Sequence, residues 1–130
     1  MEPAPALPRL RELNLGYAVK LPVEWIHTVL KGSGSLLSVV LRGIATDEAL
    51  RCLSASCLRL QTSDFGFSNL VTDEGIEALI QACSKLERCN IRACPKVSRG
   101  LYNRLPTILS HRGSGAATGA TDHGFFYLKN

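Results

Sequence analysis

The hexapeptide Leu36-Leu37-Ser38-Val39-Val40-Leu41 decides the fold, because its spacing of apolar positions returns along the chain. Leu10-x-x-Leu13-x-Leu15 precedes it, and Leu60-x-x-Ser63-x-Phe65 and Leu86-x-x-Cys89-x-Ile91 follow it. The first leucines of these segments stand 26, 24 and 26 residues apart. Self-similarity at a period of roughly 20–50 residues marks a stacked repeat architecture. Within each copy the apolar residues alternate, as they do in a short strand with one buried face.

Outward from the strand, the second half of each unit repeats as well. Thr46-Asp47-Glu48-Ala49-Leu50 matches Thr72-Asp73-Glu74-Gly75-Ile76, and Ser98-Arg99-Gly100-Leu101 follows at the same place. A Thr or Ser there opens a helix, since its hydroxyl accepts a bond from an amide of the first turn. Asp47, Glu48, Asp73 and Glu74 then bring negative charge to the positive end of the helix dipole. Leu50 and Leu53, and Ile76, Leu79, Ile80 and Cys83, keep the three-and-four spacing of an amphipathic helix. In the first unit, Leu21-Pro22-Val23-Glu24 opens the helix with proline in its first turn. Trp25, Ile26, Val29 and Leu30 form its buried face. The second unit is two residues shorter between Leu41 and Thr46. Each unit is thus strand, turn and helix, and only stacking on a neighbour buries its apolar face. An α/β solenoid of about four units is expected.

One domain fits a chain of 130 residues. Residues 1–8 read as an N-terminal extension, 9–112 as the repeat domain, and 113–130 as a flexible tail rich in Gly, Ala, Ser and Thr. Phe125-Phe126-Tyr127-Leu128 either folds back on the last repeat or belongs to that tail, and the tail is the expectation. No polar cap precedes the first repeat, so the isolated chain is expected to be marginally stable or held by a partner.

The net charge of +4 comes from scattered Lys and Arg, with no dense basic run interleaved with aromatics, so nucleic acid is not the expected partner. Leu36–Leu41, the longest apolar stretch, is far too short to cross a membrane. Five cysteines, an odd number, and no secretory pattern at Met1–Pro8 point to a reducing compartment, the cytoplasm or nucleus.

Cys52-x4-Cys57 and Cys89-x4-Cys94 are looser than zinc knuckles. Repeat register accounts for them instead. Cys89 takes a core leucine position, Cys57 and Cys83 take equivalent helix ends, and Cys94 sits in a turn where its thiol bonds neighbouring backbone. His27, His111 and His123 lie far apart, and Lys31-Gly32-Ser33-Gly34-Ser35 lacks the phosphate-loop spacing. No catalytic residue, metal site or cofactor is expected. The chain reads as a binding protein and not an enzyme.

Cys83-x-x-Leu86-x-x-Cys89-x-Ile91-x-x-Cys94-x-x-Val97-Ser98-x-x-Leu101 resembles the cysteine-containing class of leucine-rich repeat. Cys57, Leu60, Phe65, Val71, Thr72-Asp73 and Ile76 agree with it in the preceding unit. That class is typical of F-box/leucine-rich-repeat proteins and of the antagonist-of-mitotic-exit-network group, and the resemblance spans about residues 9–110. It implies a right-handed solenoid with short parallel strands on the concave side and helices on the convex side. It also implies substrate recognition for an SCF-type ubiquitin ligase, with ubiquitin-ligase components as partners. No F-box stands ahead of the repeats. Leu21-Pro22-Val23-Glu24-Trp25-Ile26 echoes the opening of one but falls where the first repeat's helix belongs. A leucine-rich-repeat scaffold or assembly factor unrelated to ubiquitin is the alternative.

Alternation along the strands defines the candidate contact surface. With Leu13 and Leu15 inward, one outward column holds Glu12, Ser38, Thr62 and Arg88. The next holds Asn14, Val40, Asp64 and Asn90, and the last Gly16, Arg42, Gly66 and Arg92. The expected protein-binding residues are Glu12, Asn14, Arg42, Thr62, Asp64, Arg88, Asn90 and Arg92. The arginines suit carboxylates of a partner and Asp64 suits the opposite charge.

Overall fold

The computed structural model describes residues 3–101, 103–105, 117–120 and 125–129. Short strands and helices alternate as β1 (Glu12–Asn14), α1 (Val23–Lys31), β2 (Ser38–Val40), α2 (Asp47–Ser56), β3 (Thr62–Asp64), α3 (Asp73–Ala82) and β4 (Arg88–Asn90). The chain is helical again at 100–101 and 103–105. Two further strands, β5 (Ala117–Ala120) and β6 (Phe125–Lys129), complete a sheet of order β1-β2-β3-β4-β6-β5.

The first four strands are parallel and align Glu12 with Ser38, Thr62 and Arg88, and Asn14 with Val40, Asp64 and Asn90. This is the register that the repeat spacing predicts. Each three-residue strand is lengthened by ladder bonds beyond its ends. The amides of Leu15, Leu41 and Phe65 donate to the carbonyls of Val40, Asp64 and Asn90. Those of Tyr17, Gly43 and Phe67 donate to Arg42, Gly66 and Arg92. Helices return the chain from one parallel strand to the next, with α1 packed on α2 and α2 on α3. Leu21-Pro22-Val23-Glu24 begins α1, the helix of the first repeat, although Pro22 stands at the N-cap and not within the first turn.

Helix capping departs from the expectation in an instructive way. Thr46 accepts the Ala49 amide at 3.1 Å as a capping hydroxyl should. Thr72 makes no such bond. Its hydroxyl donates to Asp47 Oδ2 at 2.5 Å, and its amide to Asp47 Oδ1 at 2.8 Å. Asp73 holds Ser98 identically, taking the amide at 2.7 Å and the hydroxyl at 2.5 Å. The aspartate after each N-cap therefore reaches sideways and fastens the start of the next repeat. Gly75 leaves room for this, since a Cβ at that position would run into the Asp47 carboxylate.

The core lies between sheet and helices. Leu30, Leu36, Leu41, Leu50, Leu53, Leu60, Phe65, Ile76, Leu79, Ile80 and Leu86 are fully buried. In the first repeat Leu10, Leu13, Leu15, Leu21 and Trp25 are only partly buried. The extension docks there, with the Leu7 amide donating to the Gly32 carbonyl at 3.0 Å.

All five cysteines are buried, Cys57, Cys83, Cys89 and Cys94 in the places register assigned them. Cys57 donates to the Leu30 and Ser33 carbonyls at the end of the preceding helix, and Cys83 to that of Cys57. Cys94 donates to the Phe65 carbonyl at 3.2 Å. Burial pushes the Cys57 thiol up to about 11 and the Cys89 thiol up to about 12.

Beyond the repeats, β6 runs antiparallel to β4, with Arg88 opposite Tyr127 and Asn90 opposite Phe125, and β5 pairs with β6. These two segments are strands and not the expected tail, because the unsatisfied outer edge of β4 offers a ladder for them to join. The boundary expected at 112/113 lies outside the described residues.

Candidate protein-binding face

The outward side chains of the four parallel strands form one surface. Ser38, Val40, Thr62, Asp64, Arg88 and Asn90 line a shallow groove of about 210 Å³ across β2, β3 and β4. Glu12, Arg88 and Arg92 are exposed, and Thr62 is half-buried. Strand register brings Glu12, Thr62 and Arg88 into one row and Asn14, Asp64 and Asn90 into another.

The second row has a structural task that the alternation rule does not see. Asn14 Oδ1 accepts the Gly16 amide at 2.9 Å, Asp64 Oδ1 that of Gly66 at 3.0 Å, and Asn90 Oδ1 that of Arg92 at 2.9 Å. Each side chain bends the backbone two residues on, which is the Asx-turn habit of Asn and Asp. Asn90 is only 2% exposed, so it lines the groove with little free surface while it shapes the turn. Asp64 is committed twice, since its Oδ2 also accepts the Arg42 Nε–H at 2.7 Å. Arg42 and Asp64 thus neutralise each other within the face. Glu12 in the first repeat and Arg88 and Arg92 in the last also carry charge on this face.

These turns place one residue per repeat in the left-handed region: Tyr17 (φ 59°), Gly43 (φ 76°), Phe67 (φ 62°) and Ala93 (φ 54°). Three of the four carry a side chain, which makes this an uncommon conformation. The Tyr17 ring lies over Gly43, where a Cβ would collide with it. Asn14-x-Gly16 and Asp64-x-Gly66 are the sequence signal for this column, and it went unread.

Repeated strand–turn–helix units in parallel register, locked by side-chain bonds between neighbours, fit one architecture. The fold is a leucine-rich-repeat solenoid. Among solved structures the chain is similar to the tropomodulin C-terminal domain from Caenorhabditis elegans. The TM-score is 0.58 at 14% identity, and the match covers 83% of this chain and 87% of that one. At that identity the likeness speaks for the fold alone. No family model matches the chain, and no curated protein matches it. Leucine-rich-repeat solenoids are in general non-enzymatic scaffolds that bind proteins, so the fold suggests a protein-interaction module. Among the described residues no helix is long and apolar enough to cross a membrane.

Proposed function

We propose that this solenoid is a protein-recognition module that takes its partner on the concave strand face. The observation that carries the reading is the aligned register, which gathers Glu12, Thr62 and Arg88 in one row, the last two of them lining the groove. Arg88 and Arg92 offer guanidinium forks to carboxylates of the partner, a geometry lysine does not provide. Glu12 selects the opposite sign at the other end. Five buried cysteines, an odd number, support residence in the cytoplasm or nucleus.

A photo-crosslinking residue placed at Thr62, followed by purification from cells, tests the site. The same partner should be captured at Thr62 and lost with Arg88→Glu/Arg92→Glu. Undiminished capture by that double variant would remove the concave face from the reading. The resemblance of the cysteine-bearing units supports substrate recognition within an SCF-type ubiquitin ligase as the finer role. Cullin and its adaptor among the captured proteins are then expected. A different stable complex lacking both would favour a scaffold or assembly factor unrelated to ubiquitin.

A further inference from the structure

The turns that leave the C-terminal ends of the strands form an edge distinct from the concave groove. They comprise residues 16–22, 42–46, 66–72 and 92–98. Of six large hydrophobic residues exposed in the described chain, four fall in these turns: Tyr17 (57%), Val19, Phe67 (44%) and Leu70. Such concentration on one edge marks an interaction surface. Lys20, Arg92 and Lys96 flank them, and the four turns contain no Asp or Glu. Of the carboxylates beside them, Asp64 of β3 is engaged by the Gly66 amide and Arg42, and Asp47 and Asp73 of the helices by Thr72 and Ser98.

Geometry fixes this edge in place. The ladder bonds from Tyr17, Gly43 and Phe67 carry the strand spacing into the turns. Tyr17 and Phe67 are two strands apart, hence roughly 10 Å, about three residues of a polyproline II chain, whose side chains return to one face every third residue. We propose that this edge holds an acidic peptide in polyproline II form. Two apolar side chains three residues apart settle against Tyr17 with Val19 and against Phe67 with Leu70, and the intervening carboxylates meet the flanking cations. A bilayer surface asks for no such spacing, whereas hydrogen-bonded turns that hold two rings at a set distance match a chain of defined repeat. The inference rests on reading the solenoid as a protein-binding module, and of the residues proposed to bind on the concave face it uses Arg92 alone.

The test is fluorescence anisotropy of the full chain with labelled Asp-Phe-Glu-Asp-Leu-Glu. Saturable binding is expected, weakened about tenfold or more by Tyr17→Asn/Phe67→Asn, a loss of at least about 1.4 kcal/mol. Asn removes the ring yet accepts the left-handed backbone. A melting curve confirms that the variant is folded, and Val19→Ser/Leu70→Ser should weaken binding without touching the strained positions. Arg88→Glu should leave the affinity unchanged. No saturable binding, or binding by both double variants as tight as the parent's, overturns the proposal. Loss only with Arg88→Glu overturns it too, while leaving the concave-face reading intact. Sedimentation with vesicles of equal parts phosphatidylcholine and phosphatidylserine that depends on Tyr17 and Phe67, without peptide binding, would assign the edge to membranes and overturn it as well.

Discussion

Alanine forms helix better than glycine by about 1 kcal/mol, so Gly75 in the first turn of α3 looks like a position open to improvement. Its neighbour across the repeat boundary reverses that judgement. A Cβ at Gly75 would meet the Asp47 carboxylate, which is held in place by the amide and hydroxyl of Thr72. Gly75→Ala should therefore lower stability in urea by about 0.5–2 kcal/mol, the roughly 1.5–3 kcal/mol of a forfeited charge-assisted hydrogen bond less the helix-propensity gain of about 1 kcal/mol. In an Asp47→Ala background the same change should become neutral or stabilising. A double-mutant cycle measures this, and additive effects would show that the two residues do not meet.

At the scale of the element, the joint between repeats is an aspartate on one helix and the N-cap of the next. Burial alone would raise the Asp73 carboxyl, but the Ser98 hydroxyl and amide and the Arg104 guanidinium outweigh it and hold the group below its ordinary value. Arg104 also reaches Glu77 at 2.7 Å, tying the 103–105 helical segment to α3. A depressed carboxyl stabilises the fold above the unfolded-state value of about 3.9 and stops doing so as pH falls through the folded value. Asp73→Asn should flatten that part of the acid limb of a stability–pH curve; an unchanged limb would remove the joint from the account. Periodicity made the elements and their register legible, because the core positions recur with the repeat. Partners lying one repeat away left no such trace. Thr72 has the residue type of an N-cap, yet its hydroxyl is turned to Asp47. Asn14, Asp64 and Asn90 alternate as outward residues should, yet they serve their own turns. The strained column was hidden because Tyr17, Phe67 and Ala93 are not the residues that usually announce a left-handed turn.

Across the whole molecule, burial rises from the first repeat to the middle ones. Leu13 and Leu15 are partly buried, whereas Val39, Leu41 and Phe65 are sealed. At the other end β6 covers the edge that β4 would otherwise leave open. Between these ends the second and third junctions are each closed by the same two bonds to an aspartate, with a glycine above the aspartate in the 47–72 junction. That arrangement decides how the chain can be lengthened. A tandem copy of residues 73–98 brings its own Gly75 over the preceding Asp73, so every new seam closes. A copy of residues 47–72 sets Ala49 over the preceding Asp47 and jams the seam. The first extended protein should melt above the parent, and the second should match it only after Ala49→Gly in the copy. Equal melting of the two would mean that the seams tolerate a methyl group. One missing methyl thus determines which segment of this protein is a transferable module.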